Sequence, residues 1–174
     1  MKRHFLLLLS VCIFSSVYAT KLDERYVMKT FDSGQIYFIL PFEIPSNAAK
    51  TKALSADITY LTTSDSVTMK ISVWSAKELS TDSIILEGDE KLVFKDFETF
   101  FIEPDGKLWH HRFSFRFPMT ELKKIYLGTL PLSLNIYSKD HEEHYGWSIK
   151  AWKNEQEWMN KVLHIIDRNR KFYM

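Results

Sequence analysis

An alternation of apolar and polar residues with a period of two is the feature that most limits how this chain can fold. Between Val67 and Val73 every second residue is apolar, and between Trp109 and Phe117 four of the five odd-numbered residues are aromatic. Successive side chains of a strand point to opposite faces of a sheet, so each run predicts a half-buried β-strand. Pro118 predicts the end of the second run, because proline cannot donate a hydrogen bond to a neighbouring strand.

Seven further segments have the composition of short strands, and turn residues such as those of Glu87–Glu90 and Pro104–Lys107 lie between them. These segments are Gln35–Leu40, Ala56–Thr62, Ser83–Glu87, Lys91–Phe94, Thr99–Glu103, Leu132–Ser138 and Tyr145–Trp152. About eight short strands joined by turns indicate a mostly β protein, built as an antiparallel β-sandwich or as a small barrel-like sheet.

Two segments have a helical pattern instead. Thr120–Lys124 predicts a single helical turn that begins at Thr120. Closer to the end of the chain, Glu155–Asn169 predicts an amphipathic helix, and Asn154 with Glu157 resembles a capping box at its start. An isolated helix of about 15 residues is marginal in water, so we expect its apolar stripe to pack against the sandwich. The stripe consists of Trp158, Met159, Val162, Leu163 and Ile166.

The first 19 residues have the layout of a cleaved secretory signal peptide. Lys2 and Arg3 form a positive start, Phe5–Phe14 is a short apolar run, and small residues precede Ala19. The apolar run is shorter than the roughly 20 residues that a transmembrane helix needs. We therefore predict cleavage after Ala19, which leaves residues 20–174 as one domain that is secreted or periplasmic.

Composition excludes several classes of function for residues 20–174. The only cysteine, Cys12, lies in the predicted signal, so the mature chain has no disulfide, no thiol nucleophile and no zinc–thiolate site. The full chain has 23 basic and 22 acidic residues, and removal of Lys2 and Arg3 leaves a net charge of −1. This balance argues against the binding of nucleic acid. No later apolar run is long enough for a stable membrane span of the mature chain.

The stretch His141-Glu142-Glu143-His144 combines side chains that bind zinc and related metals. A zincin site needs His-Glu-x-x-His on a helix, and the spacing here is one residue shorter. The stretch lies between two predicted strands, which favours a polar hairpin tip from Ser138 to His144. His141 and His144 remain candidate metal ligands. His111, on the aromatic face of its strand, is instead expected to be a buried histidine with a hydrogen-bond partner.

No catalytic residue and no cofactor are predicted, since the sequence has no Gly-x-Ser-x-Gly elbow, no glycine-rich phosphate loop and no dinucleotide fingerprint. Aromatic residues outside the apolar faces of the strands offer another kind of site. An exposed aromatic platform can bind a sugar ring or the surface of a partner protein. Its candidate residues are Trp74, Tyr137, Trp147 and Trp152.

These observations favour an exported, non-catalytic binding or assembly module of the periplasm or cell surface. It would contact a protein partner through a sheet face or through the C-terminal helix. A carbohydrate-binding module that uses the exposed aromatic residues to hold a glycan is the second hypothesis. A metal-dependent hydrolase built around His141 and His144 is the third.

Overall fold

The computed structural model of the protein describes residues 25–46, 52–139 and 141–170, and the predicted signal peptide lies outside these ranges. The described residues form ten strands and two helices. The strands are β1 (Tyr26–Phe31), β2 (Gly34–Ile44), β3 (Leu54–Leu61), β4 (Ser66–Ser75), β5 (Thr81–Glu87), β6 (Lys91–Phe94), β7 (Glu98–Asp105), β8 (Leu108–Pro118), β9 (Ser133–Ser138) and β10 (His141–Gly146). The helices are α1 (Met119–Leu127) and α2 (Ile149–Arg170). None of these helices is both long enough and apolar enough to cross a membrane.

The strands form two antiparallel sheets that enclose one hydrophobic core. The six-stranded sheet has the order β1–β2–β3–β4–β8–β7, and the four-stranded sheet has the order β10–β9–β5–β6. Aromatic rings from the two sheets meet between them, since the ring of Phe94 on β6 lies 4.4 Å from that of Phe115 and 5.6 Å from that of Phe117 on β8. The predicted sandwich-like fold with a C-terminal amphipathic helix is confirmed, with ten strands rather than about eight.

Hydrogen bonds join helix α2 to Arg25, just before β1, and to β2. Near its start, Glu155 accepts two hydrogen bonds from the Arg25 guanidinium group, at 2.7 and 2.8 Å. Near its end, Asn169 donates a hydrogen bond of 2.7 Å to the hydroxyl of Tyr37 on β2. The predicted apolar stripe lies in the core, where Met159, Val162, Leu163 and Ile166 are at most 5% exposed and Trp158 packs at the margin.

The predicted start of this helix is wrong. Helix α2 begins at Ile149, so Tyr145–Trp152 is not a single strand and Asn154 is not a cap. The hydroxyl of Ser148 accepts a hydrogen bond of 3.3 Å from the Ala151 N–H, which is the role that the sequence suggested for Asn154. Trp152 belongs to the apolar stripe, two helical turns before Met159.

Other predicted boundaries also differ. The stretch 141–144 is part of β10, with His141 paired to Ser138 of β9, so the predicted hairpin tip from Ser138 to His144 is wrong. Helix α1 has nine residues and follows Pro118, and is therefore longer than the single turn predicted from Thr120. Strand β2 continues through Pro41, at a point where its register with β3 shifts, and such irregularities tolerate proline.

Candidate functional site

The ring of Trp74 lies on the outer face of the six-stranded sheet and is already engaged by its neighbours. It stacks on His110 with ring centres 4.4 Å apart and an interplanar angle of 9°. The Lys52 ammonium group lies 4.9 Å from the ring centre, and the indole N–H donates a hydrogen bond of 2.8 Å to Asp105. A sugar ring would have to displace one of these contacts before it could stack on Trp74.

The other three predicted aromatic residues do not join Trp74 in one platform. Trp152 is 1% exposed and stacks on Tyr126 of α1, with ring centres 5.1 Å apart, so its predicted exposure is wrong. Trp147 is half-buried beside it, with ring centres 5.4 Å apart. Tyr137 lies on the four-stranded sheet, where a hydrogen bond to Glu142 raises the pKa of its hydroxyl. The structure thus distributes these side chains over three separate places.

The two candidate metal ligands lie on opposite faces of β10, as expected for residues three apart in a strand. The Nε2 atom of His141 is 3.0 Å from Glu143 Oε1. The Nδ1 atom of His144 contacts the side-chain oxygen of Asn135 on β9. Within residues 25–46, 52–139 and 141–170, no three histidine, cysteine, aspartate or glutamate side chains are arranged to hold a metal ion.

A buried polar cluster that the sequence did not predict lies at one end of the core. Glu143 is 6% exposed, and its Oε1 accepts a hydrogen bond of 2.9 Å from the Ser75 hydroxyl as well as the one from His141. A cavity of about 210 Å³ adjoins this cluster, between the link from β4 to β5 and the turn from β9 to β10. The carboxylate stands between the hydroxyl and the imidazole. His141 therefore does not touch the Ser75 hydroxyl and cannot take its proton directly, as a serine nucleophile would require.

His111 lies on the core side of β8 and is 0% exposed. Its burial is as predicted, but neither ring nitrogen has a hydrogen-bond partner of normal geometry among the described residues. Burial lowers the pKa of His111, while the Lys77 backbone and the carboxylates of Glu78 and Glu143 act in the opposite direction. Folding therefore favours the neutral form of this imidazole.

We expect this histidine to make the protein less stable in mild acid. As the pH falls through the ordinary pKa of 6.5, the unfolded chain binds a proton at His111 more readily than the folded chain does, so the free energy of unfolding falls. Denaturant unfolding should show that the free energy of unfolding falls less between pH 7 and pH 5 in His111→Phe than in wild type. The same substitution at exposed His164 is the control, and an unchanged loss in His111→Phe would contradict the assignment.

The outer face of β1, β2 and β3 carries apolar side chains that no strand or helix of the described residues covers. We call the set Val27, Lys29, Phe31, Ile36, Phe38 and Leu61 the β1–β3 face, because strand pairing places these residues on one side of the sheet. Val27 is 43% exposed, Phe31 53% and Leu61 37%. Polar contacts border this face, with Arg112 of β8 bound to Asp57 at 2.6 Å and to Ser72 at 2.7 Å, and exposed Phe100 lies beyond them on β7, 5.8 Å from the Lys70 ammonium group.

No protein-family model matches this chain, and no curated protein or solved structure is significantly similar to it. The function must therefore be argued from the geometry of these surfaces. On the β1–β3 face, apolar side chains from adjacent strands are exposed together. We take it as the candidate functional site.

Proposed function

We propose that the protein is an exported binding module that holds a partner protein on the β1–β3 face. The observation that carries this proposal is the shared exposure of Val27, Phe31 and Leu61 beside a polar, ion-paired sheet surface. Contiguous apolar surface with a polar surround is typical of protein interaction sites. The apolar stripe of α2 is packed in the core and is not available to a partner, which favours the sheet face over the helix as the interaction surface.

The chemistry of the face suggests what the partner presents. Lys29 is the charged residue within it, and its ammonium group lies 6.0 Å from the ring centre of Phe38. No ion pair involving Lys29 occurs among the described residues. We therefore expect the partner to present an apolar surface that includes one carboxylate opposite Lys29.

The two other hypotheses have less support. A carbohydrate-binding function lacks a free aromatic platform at the predicted residues, since Trp74 is engaged by His110 and Lys52 and Trp152 is buried. A metal-dependent hydrolase would need His141 and His144 to converge, and they lie on opposite faces of β10. Neither hypothesis explains the exposed apolar face.

Replacing Val27 by aspartate should remove the partner, because the new carboxylate would have to be desolvated in an apolar contact and would repel the carboxylate that we expect opposite Lys29. The matched control is Val93→Asp, since Val93 is 50% exposed on β6 of the other sheet. Tagged wild type and both variants are expressed in native cells, and co-purifying proteins are identified by mass spectrometry. Proteins retained by wild type and Val93→Asp should be absent from Val27→Asp. If Val27→Asp retained these proteins, the β1–β3 face would be excluded as their binding site.

Export is the other part of the proposal, and its support is the signal-like layout of the first 19 residues. The protein recovered from its native compartment should begin at Thr20 and should lack the mass of Met1–Ala19. Intact-mass spectrometry measures this directly. A chain that retains Met1–Ala19 in the cytoplasmic fraction would contradict export while leaving the binding proposal open to its own test.

A further inference from the structure

Strand β1 is an edge of the six-stranded sheet. One hydrogen bond to β2 shows which of its backbone N–H and C=O groups point towards the sheet and which point away from it. The Leu40 N–H donates to the Arg25 carbonyl at 2.8 Å, and the register places these two residues opposite each other. Because hydrogen-bonded and non-bonded pairs alternate in an antiparallel ladder, Val27 and Lys29 also turn their backbone groups towards β2. Met28 lies between them, so its N–H and C=O point away from the sheet.

The side chains of β1 leave this edge accessible. Five of its six residues are exposed, and Met28, at the centre of the strand, is 41% exposed. Proteins commonly protect an edge strand with several charged residues, a proline or a covering loop. Strand β1 has a single charge, at Lys29, and contains no proline.

The strand is also complementary to itself. When two copies of β1 run antiparallel with Met28 opposite Met28, the outward N–H and C=O groups of the two methionines bond to each other. In this register Lys29 of each copy falls opposite Val27 of the other. A shift of the second copy by two residues would instead place Lys29 opposite Lys29, and like charges directly opposite each other are destabilising. The position of the single charge therefore favours the register centred on Met28.

We propose that two copies of this chain pair through β1, antiparallel about a two-fold axis at Met28. The pairing joins two six-stranded sheets edge to edge and gives the outward N–H and C=O of Met28 a partner. It also brings the β1–β3 faces of the two copies side by side, so the apolar surface offered to a partner is doubled. The pairing uses the edge of the sheet and does not depend on the function proposed for its face.

A cysteine crosslink tests the register. Opposite residues of a hydrogen-bonded antiparallel pair have Cα atoms about 5.5 Å apart, which is within the range of a disulfide. The full chain with Cys12→Ser and Met28→Cys should form a covalent dimer on mild oxidation. Thr30→Cys is the matched control, because the two Thr30 residues would be four positions apart along the ladder, about 13 Å. Equal crosslinking of Thr30→Cys and Met28→Cys would indicate random collision and overturn the proposal.

A second measurement tests the hydrogen bonds of the edge. Light scattering of wild type should give twice the mass of one chain, and Met28→Pro should raise the dissociation constant at least about tenfold, because each copy loses an outward N–H. Proline is tolerated at an edge position whose N–H faces solvent, and circular dichroism checks that the variant is folded. A wild type that remains monomeric at high concentration, or a folded Met28→Pro that dimerises like wild type, would overturn the proposal.

The variant Val27→Asp separates the two proposals. It places a carboxylate opposite Lys29 of the second copy, so we expect the dimer to persist while the partner on the face is lost. A Val27→Asp dimer that still retains the partner would refute only the proposed function. A monomer that still binds its partner on the face would refute only the pairing of β1.

Discussion

Replacing Trp152 by alanine is expected to lower the free energy of unfolding by about 3–5 kcal/mol, the range for a large aromatic side chain removed from a core. Trp152 is 1% exposed and its ring lies between those of Tyr126 and Trp147, with centres 5.1 and 5.4 Å away. Removing the indole would leave a cavity where the first turn of α2 meets α1, and the rigid ends of both helices restrict collapse into it. Denaturant unfolding at pH 7 measures the loss.

The control for this variant is Trp74→Ala. Trp74 is a half-exposed tryptophan on the outer face of the sheet, so its removal deletes contacts with His110 and Lys52 but opens no cavity. We expect its loss of stability to be less than half that of Trp152→Ala. Equal losses would mean that Trp152 is not the core residue described here.

Leu163→Ala should lower the free energy of unfolding by about 2–5 kcal/mol, as for other buried leucines. Leu163 is 5% exposed and lies among Met159, Val162 and Ile166 in the stripe that joins α2 to the core. Leu127→Ala is the matched control, because Leu127 is 72% exposed at the end of α1 and should change stability by no more than about 0.5 kcal/mol. A Leu163→Ala protein as stable as Leu127→Ala would show that α2 is not anchored through this stripe.

Strands with one buried face could be predicted from the sequence, since burial imposes the period of two. Strand β8 alternates from His111 to Phe117 between buried and outward side chains, apart from Ser114, and its sequence pattern is correspondingly clear. Strand β1 lies at the edge of its sheet, and one half-buried residue is followed there by five exposed ones. Without a buried face there is no alternation to detect, and this is why the strand that carries the candidate site could not be predicted.

The start of α2 was predicted wrongly for a different reason. The order Tyr145, Trp147, Ile149 alternates apolar residues like a strand, but only Tyr145 of the three is buried, while Ile149 is 65% exposed. The helical spacing from Trp152 to Met159 competes with this alternation, and packing of Trp152 on α1 decides between them. Neither the helix propensity of these residues nor the period of their apolar pattern predicts that contact.

The buried polar cluster depends on contacts between distant parts of the chain. Ser75 and Glu143 are 68 positions apart in sequence and come together only because the two sheets face each other. His141 and His144 do not share a face because the stretch is strand β10 and not the predicted hairpin tip, and residues three apart in a strand point to opposite sides.

The bond between Arg25 and Glu155 has a consequence for the order of folding. These residues are 130 positions apart, and a chain is synthesised from its N-terminal side, so β1 is made long before the helix that holds its first end. Until residue 155 emerges, an apolar edge strand is attached to the growing sheet only through β2. Such an edge can pair with the wrong strand or with another chain. The interval before α2 docks is therefore the period in which β1 is held least firmly in the sheet and can most easily pair with a wrong strand.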